Sequence, residues 1–72
     1  MKGFRAIIYD HDEPVFCGTY EEEAQAYVVL EDLLKFMANM MGEGIWRKLS
    51  RYAKDFQSVT VGGNGFAVEA IQ

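Results

Sequence analysis

This chain of 72 residues has one cysteine, one proline, one histidine and one tryptophan. A single cysteine, Cys17, excludes an internal disulfide, so nothing covalent braces the core. The lone proline and an apolar content of 50% exclude disorder as the main state. Long apolar runs are also missing. The longest, Ala26 to Leu30, falls far short of a membrane span. The start, "MKGFRAIIYD", has only a brief apolar stretch and no small-residue cleavage site, so a signal peptide is not expected. No internal repeat or low-complexity tract is visible. The expectation is one small domain over residues 1–72, cytoplasmic and without a membrane partner. A domain this short buries only ~60% of the surface its unfolded chain exposes, so its core is marginal.

Basic residues are scarce over most of the chain. Between Asp10 and Glu43 nine acidic residues face one basic residue, Lys35. From Gly44 to Phe56 the balance reverses: Arg47, Lys48, Arg51 and Lys54 stand against Asp55. The net charge is −4. An acidic surface repels phosphates, which disfavours direct contact with nucleic acid or an anionic membrane.

Phe4, Ala6 and Ile8 alternate with Arg5, Ile7 and Tyr9, a period of two that predicts a strand over residues 3–9. "DHDEP" breaks it, and "VFCGT" predicts a second strand in a hairpin with the first. Thr19 followed by Glu22 predicts a capping box. A helix is then expected from about Tyr20 to Met41, stopped by Gly42 and Gly44. A shorter helix, about Ile45 to Phe56, carries Ile45, Leu49, Tyr52 and Phe56 on one face. "SVTV" and "FAVEAI" predict a last hairpin, with Asn64-Gly65 supplying the turn. The order ββ-α-α-ββ implies a two-layer α+β fold, an antiparallel sheet with both helices on one face.

The first helix is too apolar for an ordinary surface helix. Glu31, Asp32, Lys35 and Asn39 form a polar strip interrupted by Val28. The rest of positions 26–41 is apolar over an arc of roughly 200°, against the roughly 100° a surface helix needs. Either the second helix and the sheet close this arc, or a strip containing Phe36, Met37, Met40 and Met41 stays open for another protein. Methionines suit adaptable contact surfaces, and they are also ordinary core fillers.

Motifs for chemistry are thin. His11 between Asp10 and Asp12 has metal-ligand chemistry, but residues of a tight turn diverge and no second histidine exists. Cys17 with His11 lacks an orienting third group. "GGNGF" lacks the lysine and hydroxyl of a phosphate loop. "IWRKLSRYAKDF" interleaves aromatics with Arg47, Lys48, Arg51 and Lys54, a weak nucleic-acid signature. No enzyme activity, metal or cofactor is expected.

In size, acidity and lack of a convergent catalytic set, the chain is similar to small bacteriophage or mobile-element proteins, such as anti-CRISPR proteins, that inhibit a host complex by occlusion. That resemblance implies a non-enzymatic inhibitor or adaptor that covers a basic, nucleic-acid-binding surface. From the residues, the partner-binding set is Asp10, Asp12, Glu13, Glu21, Glu22, Glu31 and Asp32 for charge. Phe36, Met37 and Met40 would supply an apolar patch, with Trp46 and Tyr52 as aromatic anchors. The alternatives are a homodimer through the first helix, or a nucleic-acid binder through the basic second helix.

Overall fold

Strand-forming and helix-forming stretches follow one another in the order β1 (Gly3–Asp10), β2 (Glu13–Tyr20), α1 (Glu23–Met41), α2 (Gly44–Tyr52), β3 (Ser58–Val61) and β4 (Asn64–Ile71). This computed structural model describes residues 2–42, 44–53 and 55–71. The strands form one antiparallel sheet in the order β2-β1-β4-β3, an α+β fold. No helix among the described residues is long and apolar enough to cross a membrane.

Alternation along the strands decides what each face meets. Ala6 and Ile8 of β1 and Phe66 and Val68 of β4 join Ala26, Leu30, Leu34, Ala38, Trp46, Leu49 and Ala53 of the helical segment in one buried cluster. Ile7 and Ala67, also buried, lie outside that cluster and pair with each other on the opposite face. There Phe16 pairs with Ile7, and the Arg5 guanidinium lies 5.4 Å from the Phe16 ring centroid.

The turns differ from expectation in instructive ways. His11 and Asp12 both take positive φ (52° and 70°), which makes the β1–β2 connection a two-residue hairpin. β2 therefore starts at Glu13, and Pro14 fits because β2 is an edge strand. At the other hairpin the positive-φ residues are Gly62 and Gly63, while Asn64 and Gly65 belong to β4. Asn64 instead links the two hairpins, since its Oδ1 accepts from His11 N–H at 3.0 Å, and beside it Asp12 N–H donates to Gly63 O at 2.8 Å. The two tips are thus tied together. Gly65 is required by close approach, since a Cβ there would run into the Val59 carbonyl oxygen and come within 2.8 Å of Thr60 Cα.

The α1 cap also moves. Thr19 stays extended, paired with Arg5, because β2 runs on to Tyr20. The reciprocal cap falls three residues later, where Glu22 N–H donates to Gln25 Oε1 at 3.4 Å. Gly42 closes α1 in the left-handed conformation with its N–H on Ala38 O, but Gly44 begins α2 instead of ending α1. α2 stops at Tyr52. Its buried stripe is Trp46, Leu49, Ser50 and, just beyond, Ala53; Ile45 and Tyr52 are half-buried. Phe56 leaves the helix and meets Tyr52 edge-on at 5.8 Å.

Candidate functional site

Helix α1 buries one narrow stripe, Ala26, Leu30, Leu34 and Ala38, at a spacing of four. Successive residues turn by about 100°, so the apolar residues beside that stripe fall on a flank. On the flank toward β2 lie Leu33 and Met37, half-buried, then Phe36 and Met40, which are 51% and 73% exposed. The facing wall is strand β2. Val15, 52% exposed, and Cys17 line a groove of about 340 Å³ with Ile8, Asp10, Leu33 and Met37. A second hollow of about 340 Å³ lies over the first turns of α1, lined by Tyr20, Ala24, Gln25, Val28 and Val29. The lining is predominantly apolar, and α2 does not reach it.

Local geometry on β2 shapes this wall. The register slips between Ala6 and Ile7, which leaves Cys17 as the extra residue of a bulge. Gly18 follows with φ 137°, and a Cβ there would come within 2.7 Å of the Tyr20 hydroxyl. The missing side chain lets the Tyr20 ring lie back along the strand, where its hydroxyl donates to Cys17 O at 3.2 Å. Burial against the helix pushes the Cys17 thiol above its ordinary pKa, only partly offset by a backbone hydrogen bond from Ile8.

Acidic residues sit at both ends of the groove. Asp10, Asp12 and Glu13 occupy the β1–β2 tip; Glu21, Glu22 and Glu23 lead into α1 at the other end of β2. Seven steps of strand, about 23 Å, separate the two groups. Asp32 is exposed one helical turn before Phe36, on the groove's outer rim. Glu31 does not join this face. It lies around the helix on the opposite flank, where it accepts from Lys35 Nζ at 2.9 Å. That bond, followed by Coulombic attraction to the same carboxylate, raises the Lys35 pKa.

The opposite flank is a cleft of about 400 Å³ between α1 and α2, lined by Lys35, Ala38, Asn39, Arg47, Ser50 and Arg51. Arg47 and Arg51 are exposed and four residues apart. Ser50 is buried and spends its hydroxyl proton on Arg47 O at 2.7 Å, so it is wall and not donor. Lys48 is exposed and takes no part in the lining. Lys54 lies outside the described residues.

The structure therefore brings together Phe36, Met37 and Met40 with two acidic groups and Asp32, and it separates Glu31 from them. Trp46 is a correction. It is fully buried in the core, so it presents no surface to a partner. The buried stripe of α2 is centred on Trp46 and Leu49 because the indole faces the sheet side of the helix pair, in one cluster with Phe66 and Val68. Tyr52 is half-buried against that core and engaged by Phe56. Val15, Cys17 and Leu33 line the groove and are outside the partner-binding set expected from the sequence. For Val15 and Cys17 the signal is the place of β2 at the edge of the sheet, which needs the strand order; Leu33 lies in the apolar arc of α1. His11 Nδ1 pairs with Asp10 Oδ1 at 2.7 Å at the tip, four strand positions or about 13 Å beyond the level of Cys17, so the two do not form a nucleophile and base. Among the described residues no group of three or more histidine, cysteine or carboxylate side chains converges on one point.

Comparison with protein-family models, with curated proteins and with solved structures gives no match.

Proposed function

We propose that the chain is a non-enzymatic protein-binding module, a small cytoplasmic inhibitor or adaptor, whose α1–β2 groove receives an apolar segment flanked by basic residues. The observation that carries this reading is the apolar strip of Val15, Leu33, Phe36, Met37 and Met40, left open between two acidic ends. An apolar surface rimmed by charge is the usual form of a docking site. The acidic ends select a partner of opposite sign and speed its capture. A protein that holds nucleic acid offers such a basic surface, and occupying it would keep the nucleic acid out.

The geometry favours a helical occupant over an added strand. Edge strand β2 carries Pro14 and the bulge at Cys17, both of which interrupt the ladder a new strand would need. Edge strand β3 has only four residues. A second copy is a poorer fit, because antiparallel packing along the groove would set each tip of Asp10, Asp12 and Glu13 against the Glu21–Glu23 end of the other copy. Acid would face acid.

The test uses two designed peptides with leucines at helical spacing, one flanked by lysines and one by glutamates. The lysine-flanked peptide should bind saturably and shift the NMR signals of Val15, Leu33, Phe36 and Met40. The glutamate-flanked peptide should not bind. Introducing Phe36→Glu with Met40→Glu should abolish binding while the chain stays folded. Binding that ignores these substitutions would end the reading. Light scattering at two concentrations checks self-association: a monomer is expected, and a stable dimer would assign the strip to a second copy.

A further inference from the structure

The cleft on the other flank of α1 is unlike the rest of this acidic surface. Lys35, Arg47 and Arg51 line one hollow of about 400 Å³. Among the described residues, the ion pairs are His11–Asp10 and Lys35–Glu31, and neither Arg47 nor Arg51 has an acidic partner among them. Two arginines four apart on one helix repel each other. On a helix of nine residues, that arrangement is unfavourable until an anion lies between them.

We infer that this cleft is a binding site for a compact phosphate-bearing small molecule, one carrying a diphosphate, held by Arg47, Arg51 and Lys35. Arginine forks match phosphate oxygens two at a time. Lys35 spends one of its three N–H donors on Glu31 and keeps two for the ligand. The Asn39 side-chain amide on the same wall can orient the group beyond the phosphates. Ala38 and Ser50 form the floor and leave little apolar surface for a lipid chain.

The layout argues against an extended nucleic acid. A duplex or long single strand needs cations spread along a track. Here three cations line one concavity, and exposed Lys48 lies outside it. The site is independent of the α1–β2 groove, so either assignment can stand when the other falls.

The experiment is an NMR titration of the full chain with inorganic pyrophosphate, with ADP and with oligothymidylates of two lengths. Pyrophosphate and ADP should saturate and shift Asn39, Arg47, Ser50 and Arg51. Arg47→Ala and Arg51→Ala should each weaken binding by about tenfold, the loss expected for a hydrogen bond between charged groups. Lys48→Ala should leave it unchanged. All three positions are exposed, so the variants should keep the native fold, as read by Trp46 fluorescence. Three results would overturn the inference. One is shifts scattered over the surface without saturation. Another is equal weakening by Lys48→Ala, which would mean diffuse attraction. The third is oligothymidylate binding that strengthens with length and exceeds that of pyrophosphate, which would make the surface a nucleic-acid one.

Discussion

Leu34→Ala and Met40→Ala remove comparable apolar side chains from the same helix, and the structure assigns them very different costs. Leu34 is fully buried in the cluster between sheet and helices. Cutting it to alanine loses the transfer energy of the side chain and leaves a cavity, about 2–5 kcal/mol. A 72-residue domain has roughly 4–11 kcal/mol of stability in all, at ~0.05–0.15 per residue. A loss near the middle of the range, ~3 kcal/mol, lowers the melting temperature by about 12–24 °C at ~4–8 °C per kcal/mol. Met40 is 73% exposed. About a quarter of a full burial energy of ~1.5–3 kcal/mol is at stake, roughly 0.4–0.8 kcal/mol. The better helix propensity of alanine offsets part of it. The expected net loss is under about 0.5 kcal/mol. Urea unfolding followed by Trp46 fluorescence measures both, since the only tryptophan is completely buried and reports loss of the core directly. If Met40→Ala costs as much as Leu34→Ala, something covers the strip in solution. The groove would then not be a free docking surface.

Three further perturbations probe other parts of the molecule. Gly65→Ala should cost about 3 kcal/mol, the upper end for overpacking, because the added Cβ meets backbone of Val59 and Thr60 and neither can move aside; hydrogen exchange should show β3 losing protection first, and normal protection there would refute the contact. The Cys17 thiol, raised by burial, should react slowly with a disulfide reagent at neutral pH and accelerate only above the ordinary thiol range. Because its folded pKa lies above the unfolded one, its contribution to stability is complete below the unfolded value and is lost as pH rises through the folded value; Cys17→Ala should remove that alkaline loss, and an unchanged stability profile would show that the thiol is not the source. Charge reversal at Glu21, Glu22 and Asp32 should slow association of the lysine-flanked peptide by about tenfold and weaken its salt dependence, whereas unchanged association kinetics would remove the steering role from the acidic ends.

Much of the fold is legible in local pattern. The alternation of Phe4, Ala6 and Ile8 and the apolar period of α1 each state their period over enough residues to outweigh ambiguity. What is illegible depends on pairing. Thr19 is as good a cap as the sequence offers, yet Arg5 holds it in the sheet. Asn64-Gly65 is the stronger turn signal, but Asn64 is drawn into β4, where it accepts from the neighbouring hairpin tip. Trp46 reads as an anchor because aromatics are hot spots in general; only the packing of α2 against the sheet shows that this one is spent on the core. The same holds for the site. Phe36, Met37 and Met40 follow from an arc too wide for one face. Val15 and Cys17, the opposite wall, follow only from the strand order.

The uneven cover of α1 has a simple geometric origin. α1 has nineteen residues, about 28 Å, and α2 has nine, about 13 Å. The sheet covers the underside of α1 and α2 can screen one flank over half its length. The other flank has no element left to close it. A chain of this size would reduce its exposed apolar area most simply by placing lysine or glutamate at positions 36 and 40, which are half or more exposed. It carries phenylalanine and methionine there instead. Polar residues stand on the screened flank, with Lys35 and Asn39 facing Arg47 and Arg51. The two flanks of one helix are thus made chemically opposite at adjacent positions, Lys35 beside Phe36 and Asn39 beside Met40. Folding alone asks for neither the apolar strip nor two arginines that have no acidic partner among the described residues. Each is accounted for when a partner of complementary chemistry occupies it.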